Sequence, residues 1–275
     1  MIAAIAAVLY GDWRLGQSPA VRDWAGGLPL AGLVLCIMPA AFWEVSRLAR
    51  GADLGVLPVS GFLSTIGLGL WPYWGRLLWP QGGAAGLVAV AGLAMLPIFA
   101  EQMIRFRTAE AVRRIAATAM AVLYLGAGAA AILSIRMTWG VPALVLFLAA
   151  VKFTDMGAYF TGHAIGRHKL IVWLSPGKSW EGLAGGLAAA VLASVVLAWV
   201  LRLPCTAGGA AVFGVVMGVA GQFADLCESL LKRSAQVKDS GAVVPAFGGV
   251  LDILDSLLLA APLAWVLMSV AVHAG

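Results

Sequence analysis

GQFADLCESLLKRSAQVKDSGAVVPAFGGVLDILDS, Gly221–Ser256, holds five of the thirteen acidic residues of the chain: Asp225, Glu228, Asp239, Asp252 and Asp255. Lys232, Arg233 and Lys238 lie among them, and apolar segments of membrane-crossing length run into and out of the stretch. A charge near hydrocarbon costs roughly 3 kcal/mol on insertion scales, so charges there mark an ion or substrate path. Two acidic pairs around a basic patch beside a bilayer suggest a cation-assisted phosphate site.

The rest of the chain agrees with a membrane setting. Of 275 residues 62% are hydrophobic and only 11% charged, against about 25% charged in soluble domains. Candidate spans are 28–46, 56–74, 84–101, 115–135, 140–161, 182–201, 207–227 and 250–272, each near the length a bilayer requires. The expected class is all-α, a polytopic integral membrane protein with eight transmembrane helices, or nine if residues 1–10 cross. It forms one membrane domain, with N-terminal helices over 1–135 and C-terminal helices carrying the polar loops over 136–275. Residues 1–10 lack a basic n-region and meet Asp12 and Arg14 at once, which argues against a cleaved signal peptide. The net charge of +5 has no arginine-rich, aromatic-interleaved module behind it, so nucleic acid is not an expected partner. Cys36, Cys205 and Cys227 are far apart and form neither a disulfide framework nor a zinc pattern.

Lys and Arg are distributed unevenly over the connections. Twelve fall on one side (Arg47, Arg50, Arg105, Arg107, Arg113, Arg114, Arg167, Lys169, Lys178, Lys232, Arg233, Lys238) and five on the other (Arg14, Arg22, Arg76, Arg136, Arg202). The richer side is expected to be cytoplasmic, which places the polar connections 162–181 and 228–249 at the inner face of the cell membrane.

On a helix, Gln222, Asp225, Glu228, Ser229 and Lys232 fall at steps of three and four, on one face. An intrahelical ion pair is the plain account of that spacing. Asp252 and Asp255 open the last span, where acidic residues suit the helix dipole. Together with Asp225 they also offer the oxygen donors that Mg²⁺ takes alongside water and phosphate. Gly248 and Gly249 allow a phosphate close to the backbone there.

In the other connection, Lys152 stands three residues before Asp155 and can neutralise it. Gly177-Lys178-Ser179 lacks the glycine five positions earlier that a phosphate loop requires; Val172 is there, and the Walker reading fails. Ser179 is expected to cap the next helix, with Glu181 in its first turn. Arg167, Lys169 and Lys178 are candidate phosphate contacts. His163 and His168 show no metal-ligand spacing.

These stretches together resemble the phosphatidate cytidylyltransferases, the membrane CDP-diacylglycerol synthases. The family signature S-x-x-K-R-x4-K-D-x-G is met by Ser229, Lys232, Arg233, Lys238, Asp239 and Gly241. The H-G-G and D-R-x-D elements that follow are met at Gly248, Gly249, Asp252 and Asp255. Upstream, T-D-x-G-A-Y-F-x-G from Thr154, His168-Lys169-Leu170, and S-P-x-K-S-W-E-G from Ser175 resemble the other family loop. The motif match covers the C-terminal half; Phe42-Trp43-Glu44 is a weak signal in the N-terminal half.

The resemblance implies transfer of CMP from CTP to phosphatidate, giving CDP-diacylglycerol and pyrophosphate for phospholipid biosynthesis. It implies Mg²⁺ with a second cation, K⁺, at Asp225 and Asp252, and a homodimer. Lys232, Arg233, Lys238, Asp239 and Asp255 become the expected catalytic residues. Asp155, Arg167, Lys169, Ser175, Lys178, Ser229, Gly248 and Gly249 become the expected substrate contacts. Phe247 and Ile253 replace the His and Arg of the signature, removing a phosphate donor and a bidentate partner. Three alternatives therefore stay open: a CMP transferase or kinase acting on another lipid, a non-catalytic member that binds nucleotide or lipid, and a transporter.

Overall fold

A computed structural model describes residues 2–16, 27–81, 83–237, 240–241 and 249–273. The helices are α1 (Ile2–Gly16), α2 (Leu28–Gly51), α3 (Pro58–Gly69), α4 (Trp71–Leu78), α5 (Gly83–Leu93), α6 (Met95–Glu101), α7 (Ala111–Val122), α8 (Gly128–Ile165), α9 (Trp180–Val200), α10 (Ala207–Ser234) and α11 (Leu251–His273). Single π turns, Gln102–Phe106 and Leu123–Ala127, follow α6 and α7.

Among the described residues six helical runs are long and apolar enough to cross a bilayer: Leu28–Gly51, Ala85–Phe106, Ala111–Ile165, Trp180–Val200, Ala207–Ser234 and Leu251–Ala271. The eight or nine spans expected are not confirmed. The predicted span 56–74 breaks at Leu70: Pro72 has no N–H to donate to Leu68 O, and its ring crowds that carbonyl. The Trp74 indole then donates to Gly67 O at 2.8 Å, and Trp71 packs edge-on against Trp74. What remains is α3, twelve residues long and so about 18 Å, well short of the ~30 Å hydrocarbon core. The predicted spans 115–135 and 140–161 fall in one run, interrupted at Gly140 (φ 84), two residues before Pro142. Helix α1, fifteen residues, is also below crossing length.

The all-α expectation holds for nearly all of the described residues, with one short β element beside the helices. Lys169–Ile171 (β1) and Ser175–Ser179 (β2) pair as an antiparallel hairpin, with Lys169 opposite Ser179 and Ile171 opposite Ser175. An isolated hairpin is marginal; this one is tied down at its base. Trp180 N donates to His168 O at 2.9 Å. Glu181 accepts from the amides of Arg167 and His168 at 3.2 Å and contacts the His168 ring at 2.6 Å. Ser179 caps α9 as expected, its Oγ accepting from Gly182 N at 3.1 Å.

The chain packs as two compact units, Met1–Val141 with Ser234–Ile253, and Pro142–Arg233 with Leu254–Gly275. In the first, Leu57, Leu68, Ile98 and Val122 form a buried core. Several buried polar groups there are bonded, which offsets the cost of removing them from water. Thr118 Oγ1 accepts from Leu57 N at 2.9 Å, and Glu101 accepts from Ser60 N at 2.6 Å. Asp12, fully buried, is ion-paired with Arg136 and also accepts from Gly27 N at 2.9 Å.

In the second unit small residues let helices approach closely. A side chain on Gly186 of α9 would meet Thr154 O of α8 at 2.8 Å, and one on Gly218 of α10 would meet Leu187 of α9 at 2.7 Å. Gly221 of α10 lies against Val151 of α8. These contacts bring the polar ends of α8 and α10 together.

Candidate active site

The face predicted for α10 is present. Lys232 Nζ reaches Glu228 Oε2 at 2.6 Å across one turn, the pairing that i,i+4 spacing favours. Asp255 of α11 joins this face. Asp225, Glu228 and Asp255 each place one carboxylate oxygen within 4.8 Å of the other two. Glu228 and Asp255 are buried, 1% and 4% exposed, whereas the Asp225 side chain keeps 35% of its surface open. The cluster is thus closed at Glu228 and Asp255 and open at Asp225.

Carboxylates packed this tightly repel one another unless a cation or proton intervenes. Lysines occupy the outer oxygens: Lys178 of β2 is ion-paired with Asp225, and Lys232 with Glu228. Three hard oxygen donors, one side open, form a donor set that fits Mg²⁺, which keeps water or phosphate on its remaining positions.

A polar ring supports the cluster. Asp155 on α8 accepts from Lys152 Nζ at 3.5 Å, as its spacing predicts, and from Gln222 Nε2 at 3.3 Å. Lys152 also donates to Ser256 Oγ at 2.9 Å, and Lys178 to Gln222 O at 3.3 Å. Ser256 N donates to Asp255 Oδ1 at 2.5 Å. Four elements (α8, β2, α10 and α11) are cross-linked around the carboxylates by these bonds.

Asp252 has a different setting, in the first unit. Its carboxylate accepts from Gly249 N at 2.7 Å and from Ser240 N at 3.4 Å. Beside it Glu44 of α2, fully buried, accepts from Ser240 Oγ, Val250 N and Leu251 N at 3.1, 2.9 and 2.7 Å.

Of the residues expected from sequence, Asp155, Lys178, Asp225, Lys232 and Asp255 are brought together. Arg233 Nε donates to Leu174 O at 3.4 Å, tying α10 to the hairpin. Ser229 and Ser175 are half-buried, and Arg167 and Lys169 stand exposed on the hairpin side. Lys238, Asp239, Phe247 and Gly248 lie outside the described residues. Glu228, absent from the expected metal ligands, joins the cluster; its i+3 spacing from Asp225 is the signal for it in the sequence. Gln222, Lys152 and Glu44 have partners on other elements, which local spacing does not reveal.

Over 125 residues the chain is 41% identical to the phosphatidate cytidylyltransferase of Brucella suis, covering 46% of each protein. Over 152 residues it is 36% identical to that of Bacillus subtilis, covering 54% of this chain and 56% of the relative. Over 126 residues it is 38% identical to that of Synechocystis sp., covering 46% and 43%. The matched stretch spans about half the length of these curated relatives. The profile of the cytidylyltransferase family matches residues 20–271, nearly the whole sequence, and the chain belongs to that family.

Proposed function

We propose that the protein transfers CMP from CTP to phosphatidate, forming CDP-diacylglycerol and releasing pyrophosphate for phospholipid synthesis. The observation that carries this reading is the gathering of Asp225, Glu228 and Asp255, with Lys178 beside them, in a chain of this family. A lipid phosphate oxygen attacks the α-phosphorus of CTP; the new P–O bond forms as the α–β bridge breaks and pyrophosphate leaves. Asp225, Glu228 and Asp255 would hold Mg²⁺. Asp252 and a second cation, K⁺, enter as the family resemblance implies. When bound, the divalent ion supplies charge stabilisation to the transferring phosphoryl group.

The remaining work falls to the chain's own side chains. Lys178 and Lys152 present ammonium groups at the carboxylate cluster, where fixed positive charge favours an arriving triphosphate and the developing negative charge. Asp155 and Gln222 hold those lysines in place, and Lys232 and Arg233 add charge along the same helix end. Arg167, Lys169, Ser175, Ser229 and Gly249, with Lys238, Asp239 and Gly248, complete the proposed substrate and catalytic contacts. In this reading these groups lie at the cytoplasmic face of the cell membrane, so that the diacyl tails stay in lipid while CTP arrives from water. A homodimer is part of the proposal.

Purified protein given radiolabelled CTP, phosphatidate and Mg²⁺ is expected to form a labelled lipid and pyrophosphate. Folded protein that forms neither overturns the reading. Phe247 and Ile253 favour one rival, a member that binds nucleotide without turnover; CTP-dependent thermal stabilisation with no product is its signature. Release of ADP from ATP in place of pyrophosphate from CTP would mark a lipid kinase.

A further inference from the structure

Glu44 lies on α2, more than two hundred positions before Leu251, and is 0% exposed. A buried carboxylate is costly unless its oxygens are bonded, and both oxygens here have donors. Oε1 accepts from Val250 N, and Oε2 accepts from Ser240 Oγ and Leu251 N. It therefore grips the chain at Ser240, before 242–248, and again at Val250 and Leu251, after it. Ser240 N and Gly249 N, within the gripped residues, are the donors to Asp252. The two carboxylates thus share one serine, which gives its hydroxyl to Glu44 and its amide to Asp252.

The packing is as tight as the bonding. A side chain on Gly241 would stand 2.5 Å from Glu44 Oε1, and one on Gly249 would stand 2.5 Å from Oε2. Neither position has room for a Cβ while the carboxylate is in place.

We infer that Glu44 is a positioning residue for the reaction: by fixing Ser240 and Gly249–Leu251 it sets the orientation of the Asp252 carboxylate. With both oxygens engaged by donors, it acts through Asp252. This inference rests on the proposed CMP transfer, with Asp252 as a ligand of its cation centre, for its catalytic consequence. Partners that orient a ligating carboxylate typically matter by about 10–100-fold in metal affinity or activity.

The test uses the full chain in detergent micelles or nanodiscs, with Glu44→Gln and Glu44→Ala variants. Three quantities are measured: amide hydrogen exchange at Val250 and Leu251, Mn²⁺ affinity by electron paramagnetic resonance, and steady-state kinetics. Both variants are expected to exchange faster at these amides. Mn²⁺ affinity and kcat should fall by about 10–100-fold, more for Ala than for Gln, with KM for CTP little changed. Unchanged exchange overturns the inference, and so does wild-type Mn²⁺ affinity and kcat in Glu44→Ala. Should those variants not fold, Gly249→Ala crowds the same turn while keeping the carboxylate; it is expected to show the same losses, and wild-type behaviour there also overturns the proposal. Failure of the functional reading has its own signature: wild-type protein that makes no CDP-lipid, or Asp225→Asn with wild-type Mn²⁺ affinity. Exchange at Val250 and Leu251 still decides the hold of Glu44 in that case.

Discussion

Asp225 is the one member of the carboxylate cluster with an open side chain, and Glu228 and Asp255 are closed off. Their substitutions should therefore differ. Asp225→Asn keeps shape and removes a ligand charge at the open side, so it is expected to lower CMP transfer about 100-fold or more with an unchanged unfolding temperature. Glu228→Gln removes a buried charge on which Lys232 depends. Breaking one side of a buried pair costs about 3–5 kcal/mol, so this variant should lose both activity and thermal stability. Parallel rate measurements and thermal unfolding in detergent separate the two outcomes. Equal stability loss in both would mean that Asp225 is a structural residue. The sequence already displayed the 225–228–232 face, since helical spacing alone aligns it. Asp255 joining that face, with Asp252 bonded to backbone amides, depends on how α11 begins, which local spacing does not reveal.

At the scale of elements, glycines separate into those that make room and those that do not. Gly186 has Thr154 O, Ala158 Cβ and Thr154 Cγ2 within 3.2 Å of a notional Cβ, whereas Gly67 in α3 has nothing within 4 Å. Gly186→Ala is expected to force α8 and α9 apart, at a cost of about 1–3 kcal/mol, and to reduce activity by shifting Asp155. Gly67→Ala should be neutral or stabilising by about 0.5–1 kcal/mol, because alanine favours the helix and meets no obstacle. Thermal unfolding of the pair checks this, and equal destabilisation would contradict it. Most helices are legible in hydropathy, and the Ser179 cap in its place just before the next helix; the kink at Gly140 is not, since residue 140 opens an expected span. The break at Leu70 is hidden because Leu70-Trp71-Pro72 reads as apolar, and a hydropathy window does not register that Pro72 cannot continue the hydrogen-bond ladder back to Leu68. The hairpin was hidden for the opposite reason. Its residues are polar and short, and the bonds that hold it come from Glu181 and Trp180 outside it.

For the whole molecule, the proposed orientation makes a claim that labelling can test. In a cysteine-free background (Cys36, Cys205 and Cys227 replaced), single cysteines at Val172 on the hairpin and at position 205 between α9 and α10 should behave oppositely. A membrane-impermeant maleimide applied to intact cells is expected to label position 205 and spare position 172, with the pattern reversed in inside-out vesicles. Labelling of both from one side would remove the inner-face assignment. Membrane class and the C-terminal signature were legible because each is carried by residues near one another in sequence. Glu44 was not, since a tripeptide motif on α2 gives no sign that its acid reaches Val250 and Leu251.

The N-terminal helix has a role that its modest length conceals. Asp12 supplies the counter-charge to Arg136 and the acceptor for Gly27 N, and no part of it is exposed. Trimming the protein past residue 12 for expression would strand a guanidinium in an apolar interior, and Asp12→Ala should do the same at a cost of about 3–5 kcal/mol. The double change Asp12→Leu with Arg136→Met should recover most of that loss in a thermal-unfolding comparison, because two matched apolar groups need no counter-charge. The choice of starting residue is accordingly a decision about folding yield, made far from the catalytic chemistry.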